Sequence, residues 1–358
     1  MSYDRRLAAA RAAMEEAGVG AMVVSGLVNI RYLTGFTGSN ALVVIGPESA
    51  TLLTDFRYQT ASDPLRAWVD VELAERDVIR TAADRLGDLV GGAERIGFEP
   101  ALLTVERHAI LSEAHPGLTP APGLVEKLRV VKDDAELDAI RASAALIEPV
   151  YAAIAKEGLV GRKEQDVAWH VRELFHSAGA DDIAFDTIVA SHERGAQPHA
   201  KPAATPIGAD TLVTIDLGCM LAGYGSDCTR TFATGTPPPE LARAYDVCLE
   251  AQLAAMDAIR PGVPASAVDL AARSVIEDAG HGERFGHPTG HGVGLEIHEA
   301  PRVGAKTAAT LEPGMVVTVE PGIYLPGVGG VRIEDLVIVT PTGGERLTMY
   351  PKELLTVG

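Results

Sequence analysis

Four acids and a cluster of histidines carry the chemistry in this sequence. TLVTIDLG (211–218) and MVVTVEPG (315–322) are apolar runs that each end on a carboxylate, Asp216 and Glu320. Each is followed by glycine-rich turning and a second run with another acid. GSDCTRTFATG (225–235) carries Asp227 and GVRIEDLVIVT (330–340) carries Glu334. Two hairpins with an acid on both arms suggest two related halves facing one site. A carboxylate inside a buried strand is costly unless something pairs with it. Any one of these acids alone reads more readily as half of a structural ion pair. All four together do not, because only Arg230 and Arg332 lie beside them. Four carboxylates in one pocket repel one another strongly. Two divalent cations would neutralise them.

The stretch GHPTGHGVGLEIHE (286–299) supplies His287, His291 and His298, three of the chain's 10 histidines. Four carboxylates with one imidazole make an oxygen-rich site for two metals. Such a donor set suits Mn²⁺, Co²⁺ or Zn²⁺. Calcium would ask for more carbonyl oxygens and no histidine. The stretch is not a zinc-binding HExxH helix: Ala300, Pro301, Arg302 and Val303 follow His298–Glu299, and the glycines break any helix over 286–294. Glycine on both sides of His291 leaves its backbone unobstructed for close approach to a metal. His287 and His298 can reach the same pocket without ligating. His108, His115, His170, His176, His192 and His281 read as satisfied surface or core residues.

The elements that must position these residues are legible as hydrophobic periodicity. Near the N-terminus a helix capped by Asp4 ends at Gly18. Strands follow at 21–25, 41–46 and 50–55, the last two joined by a hairpin around Pro47 and Glu48. A helix over 76–90, a strand over 95–99 and a helix over 104–114 complete an α/β pattern. Pro122 and Gly123 interrupt it, and Asp133 or Asp134 caps the next helix. Another helix covers 163–179. Strands at 185–190, 210–218 and 224–235, helices at 239–260 and 266–280, and strands at 314–320 and 330–340 make an α+β pattern with a largely antiparallel sheet. The expected organisation is an α/β domain over 1–126 and an α+β domain over 127–358.

Lys plus Arg number 31 against 49 Asp plus Glu, a formal charge of −18. A field of that sign repels a nucleic-acid backbone. The three cysteines, Cys219, Cys228 and Cys248, form no paired framework and point to reduced thiols in the cytoplasm. The first residues are charged and helical without an apolar signal core. No run of eighteen apolar residues occurs, so no membrane span is expected.

The order and spacing of these motifs resemble the pita-bread metallopeptidases, which include aminopeptidase P, prolidase and methionine aminopeptidase. The likeness rests on DLG with Asp216, SDCTRT with Asp227, GHPTGHGVGLEIHEAP with His291, VEPGIY with Glu320 and VRIEDLVIVT with Glu334. NIRYLTGFTGSNALVVI (29–45) and LLTDFRY (52–58) resemble the N-terminal domain found in creatinase and the Xaa-Pro peptidases. Methionine aminopeptidases usually lack that domain, which favours the Xaa-Pro branch. Creatinase lacks the full metal set, and here all five positions are filled. The resemblance implies a creatinase-like N-terminal domain and a pita-bread catalytic domain. It implies that Asp216 binds one metal, that Asp227 and Glu334 bridge two, and that His291 and Glu320 hold the second. A hydroxide between the metals would attack the peptide carbonyl, and Glu320 would pass a proton to the leaving nitrogen. His199, in GAQPHAKP (195–202), would steady the substrate and the tetrahedral intermediate. His298 would hydrogen-bond the substrate, His287 would line the proline pocket, and Arg332 would hold acidic ligands in place.

The implied activity is hydrolysis of the bond between an N-terminal residue and proline, by a Xaa-Pro dipeptidase or an aminopeptidase P. Its substrates are small peptides with proline second. The implied cofactor is a pair of divalent ions, Mn²⁺ before Co²⁺ or Zn²⁺, and a homodimer is implied as well. A dipeptidase needs a clamp for the terminal carboxylate, for which Arg302, Lys306 and Arg194 are candidates. His192, Glu193 and Arg194 stand where the family more usually has small residues, in a loop expected near the pocket mouth. The competing reading is a non-catalytic peptide-binding module on the same fold.

Overall fold

The computed structural model describes residues 2–75 and 77–358. The expected helix over 76–90 begins on Arg76, outside the described residues; the observed helix is Val78–Leu89, capped by the Asp77 carboxylate. The chain divides into two compact units after Arg129.

The first unit is built on a six-stranded mixed sheet. Its order is Asp70–Ala74, Ala50–Asp55, Ala41–Ile45, Ala21–Val24, Ile96–Phe98, Leu118–Pro120. Ala41–Ile45 is antiparallel to both neighbours, and the other pairings are parallel. The hairpin turns through Pro47 and Glu48, where Gly46 N–H donates to the Ser49 carbonyl. The two edge strands were not expected, because DVELA and LTP are short and partly exposed and carry little alternation. Asp4 does not cap the first helix. That helix spans Tyr3–Glu16 with Ser2 at its N-cap, so Asp4 lies in the first turn, where the helix dipole favours an acid.

The second unit begins with a helix, Asp134–Ala145, closed by a capping box between Asp133 and Glu136. Two further helices, Ile147–Glu157 and Glu164–Ser177, pack on a three-stranded antiparallel sheet of Ile188–Ser191, Leu212–Leu217 and Cys228–Ala233. The long helices Pro239–Ala258 and Ala265–Asp278 pack on the strands of the second half. Val316–Val319 pairs there with Asp335–Thr340, and Gly322–Leu325 with Gly329–Arg332.

The expected strands over 224–235 and 330–340 are each interrupted. Tyr224–Gly225 and Cys228–Ala233 leave Ser226 and Asp227 between them, and Gly329–Arg332 and Asp335–Thr340 leave Ile333 and Glu334. The backbone at the second break serves the other hairpin. Glu334 N–H donates to the Thr229 carbonyl, and Thr231 Oγ1–H donates to the Arg332 carbonyl at 2.9 Å. The two halves are therefore stitched together beside their acids.

Candidate metal centre

Asp216, Asp227, His291, Glu320, Glu334, His199, His287, His298 and Arg332 all line one cavity of about 780 Å³. Asp227, His291 and Glu334 each present a ligand atom, and these atoms lie within 4.8 Å of one another. Glu320 joins them, with Oε1 3.3 Å from His291 Nε2, and Asp227 Oδ2 lies 3.6 Å from the same nitrogen. Asp216 is held by Arg332, whose Nη2 donates to Oδ2 at 2.8 Å.

The oxygen accounting here is incomplete. Glu334 Oε2 accepts from Thr229 Oγ1 at 2.7 Å, while Glu334 Oε1 and Asp216 Oδ1 are buried with no hydrogen-bond partner. A buried carboxylate oxygen without a donor is expensive, and a cation is the partner such oxygens take. Burial pushes the Asp227 carboxyl well up, with Glu334, Asp216 and Glu320 adding to it. Glu334 is likewise pushed well up by burial, then by Glu320 and Asp216. Glu320 is pushed up to about 8 by burial, with Asp216 adding and Arg332 opposing. These acids resist ionising together unless positive charge arrives among them.

His291 is prepared as a ligand. Burial lowers its pKa to about 4, so the ring is neutral at pH 7. Its Nδ1 lies 3.1 Å from the Gly292 carbonyl, which can only accept, so Nδ1 carries the proton and Nε2 turns its lone pair to the acids. The flanking glycines serve a different purpose from the one expected. A Cβ on Gly290 would lie 2.0 Å from the Thr318 carbonyl oxygen, and one on Gly292 2.3 Å from that of Ala300. They allow the neighbouring chain segments to close on this strand, rather than clearing a path to a metal.

A second set of bonds fixes the cavity wall. Arg332 Nε donates to Thr229 Oγ1 at 3.1 Å, and its Nη1 donates to the Pro198 carbonyl and the Tyr324 hydroxyl, each at 3.1 Å. The Tyr324 hydroxyl lies 2.9 Å from His287 Nε2. His287 Nδ1 faces the Pro288 carbonyl at 2.8 Å, so it holds the proton and Tyr324 donates to Nε2. Burial lowers the His287 pKa to about 4, keeping it neutral beside Arg332. The His298 ring packs 4.3 Å from His291, centroid to centroid.

The match to known proteins follows this geometry. Residues 138–341 match metallopeptidase family M24, and residues 6–131 match the creatinase/prolidase N-terminal domain. The chain belongs to metallopeptidase family M24. An uncharacterized peptidase, YqhT, of Bacillus subtilis (strain 168) is 39% identical over 343 residues, covering 94% of this chain and 96% of its own. A Xaa-Pro dipeptidase of Pyrococcus furiosus is 35% identical over 346 residues, covering 96% and 97%. The solved structure of a Xaa-Pro dipeptidase from Bacillus anthracis superposes with a TM-score of 0.97 at 38% identity, over 99% of this chain and 100% of that one. This M24 chain accordingly has the pita-bread catalytic fold behind a creatinase-type N-terminal domain. It is a metallo-exopeptidase that works with divalent metal ions, and the carboxylate-rich donor set with its two orphaned oxygens fits such ions.

Some expectations at the site need correction. Of the three candidate clamps, Arg302 lines the cavity, whereas Arg194 and Lys306 do not. Arg194 is instead tied to Glu164, and His192 Nε2 accepts from Gly208 N–H. The segment 192–194 thus braces a loop rather than bordering this cavity. His108, His115, His170, His176, His192 and His281 stay outside the cavity lining. Cys219, Cys228 and Cys248 are free and buried. Helices long and apolar enough to cross a membrane are absent among the described residues.

Tyr324 was missed. Its signal was the period of two in Gly322 and Tyr324, which places both on one face of the strand Gly322–Leu325. A Cβ on Gly322 would lie 2.5 Å from the Tyr324 hydroxyl oxygen, so the glycine makes room for the ring to fold back toward Glu320 and Arg332.

Proposed function

We propose that this chain is a Xaa-Pro dipeptidase using two divalent ions, with Mn²⁺ as the working metal. The carrying observation is the pair of orphaned carboxylate oxygens, Asp216 Oδ1 and Glu334 Oε1, beside the Asp227–His291–Glu334 cluster. Asp216, Asp227, His291, Glu320 and Glu334 would hold the ions, which when bound would neutralise the carboxylates and supply Lewis-acid activation of water and carbonyl.

The chain's own residues do the rest. His298 and His199 donate hydrogen bonds to the substrate and to the charge developing on its carbonyl oxygen. Glu320 takes a proton from the water whose oxygen adds to the carbonyl carbon and gives it to the proline nitrogen as the C–N bond breaks. His287, packed edge-on against Phe285 with ring centroids 5.0 Å apart, forms the wall for the proline ring. Arg332 fixes Asp216 and Tyr324. Arg302 clamps the terminal carboxylate, which favours dipeptides over longer chains. The catalytic domain covers residues 127–358 and acts in a homodimer. The three free cysteines suit a reducing cytoplasm.

Chelator-stripped protein should be assayed on Ala-Pro, Ala-Pro-Ala and Ala-Ala with and without Mn²⁺. Hydrolysis of Ala-Pro alone, dependent on added metal, is the expected result. Equal cleavage of the tripeptide would make it an aminopeptidase P. No activity with Mn²⁺, Co²⁺ or Zn²⁺ would favour a peptide-binding module.

A further inference from the structure

His199 sits on a long connection between Ile188–Ser191 and Leu212–Leu217, and its side chain is exposed to the cavity. Connections of this length are ordinarily mobile. In this one, backbone bonds hold the far side, from Ala203 to Ile207, and a buried acid outside the cavity gathers the rest. Glu164, the first residue of the helix Glu164–Ser177, is fully buried. Its Oε1 accepts from Ser191 N–H at 2.9 Å and Ser191 Oγ–H at 2.8 Å. Its Oε2 accepts from Arg194 Nε at 2.9 Å and Ala203 N–H at 3.1 Å. One carboxylate therefore gathers the start, the first turn and the far side of the segment bearing His199. Arg194 closes the loop on itself, because its Nη2 donates to the Lys201 carbonyl. Arg332 reaches the residue before His199, at the Pro198 carbonyl, from the metal side.

The arrangement uses the acid's charge and both of its oxygens. Four donors converge on two acceptor atoms, which a neutral amide with one oxygen cannot satisfy. We infer that Glu164, with Arg194, is a positioning residue for His199, locking that imidazole at the height of the scissile bond. The inference rests on the role proposed for His199 above.

The test is a double-mutant cycle on Ala-Pro hydrolysis by full-length, Mn²⁺-loaded protein. E164Q should lower kcat about tenfold with KM within about twofold, since misplacing a group that acts in the transition state costs rate rather than binding. Bound metal should stay at the wild-type level, which general damage to the fold would not allow. The sharper readout is coupling. E164Q/H199A should be no slower than H199A alone, because the clasp has nothing left to position. R194M, altering a residue about a quarter exposed, removes the cation of the clasp and leaves Glu164 its three donors from Ser191 and Ala203. It should give a smaller loss with the same non-additivity, so the test survives if E164Q does not fold. Additive losses in the double variants would overturn the inference while leaving the role of His199 intact. An H199A variant with wild-type kcat would overturn that role and the inference with it.

Discussion

Glu334 and Asp335 are neighbours in sequence, both fully buried, and opposite in their bonding. Asp335 is saturated: Oδ1 accepts from Arg230 Nη2 at 2.8 Å and Thr348 Oγ1 at 3.0 Å, and Oδ2 from Lys352 Nζ at 2.7 Å and Gln252 Nε2 at 3.0 Å. Glu334 has one donor, Thr229, and an oxygen with none. The strand resumes at Asp335, so alternate pleating sends the two acids to opposite sides. One side is a closed ion network and the other is the metal cavity. Burial of a carboxylate therefore says little by itself. The informative quantity is whether its bonds are complete, since an incomplete buried acid is an appointment for a ligand.

This contrast can be broken from either side. The largest effect should come from E334Q, which removes the charge of a proposed metal ligand and should lower Ala-Pro hydrolysis by more than about 100-fold. The same change should leave the metal-free protein as stable as wild type or more so, since it removes a repelled charge. D335A should do the reverse to the fold. It strands Arg230 and Lys352 without their acid and should cost about 3–5 kcal/mol in urea denaturation of the metal-free protein. Equal destabilisation by the two substitutions would erase the distinction drawn between them.

A smaller effect should follow at the cavity wall. Y324F removes the hydroxyl joining Arg332 to His287 and should lower kcat/KM about tenfold with folding intact. G322A should resemble it, because the added methyl occupies the space of that hydroxyl.

The mildest consequence concerns pH and the metal-free protein. Glu320 titrates near 8 in the fold against an ordinary 4.5, and Asp227 and Glu334 are raised as well. An acid that holds its proton more tightly when folded loses stability as pH rises between the two values. His287 and His291, lowered from 6.5 to about 4, act in the opposite sense, adding stability as pH rises through that lower window. Above pH 6.5 only the acids still titrate. The Tm of metal-free protein should therefore fall from about pH 6.5 to 8, and Mn²⁺ should flatten the decline. A flat metal-free profile would mean that burial and mutual repulsion do not raise these acids.

The acids and histidines were legible because each broke a local pattern: a carboxylate ending an apolar strand, or histidines among glycines. The capping box at Asp133 and the hairpin at Pro47 were legible from short-range chemistry. The breaks at Asp227 and Glu334 were not. They depend on a bond from Glu334 N–H to the Thr229 carbonyl, made between segments about a hundred residues apart in the chain. Arg194 read as a clamp candidate for the same reason: its partner Glu164 lies in a helix whose first residue gives no sign of facing a loop. Tyr324 fell between these cases, since its face was readable and the contact across Gly322 was not.

The most direct test of the central claim is native mass spectrometry of chelator-stripped protein reloaded with Mn²⁺, wild type beside E334Q. The account predicts two ions per chain in the wild type and at most one in the variant. A wild type that takes up none, or an E334Q that still holds two, would contradict it.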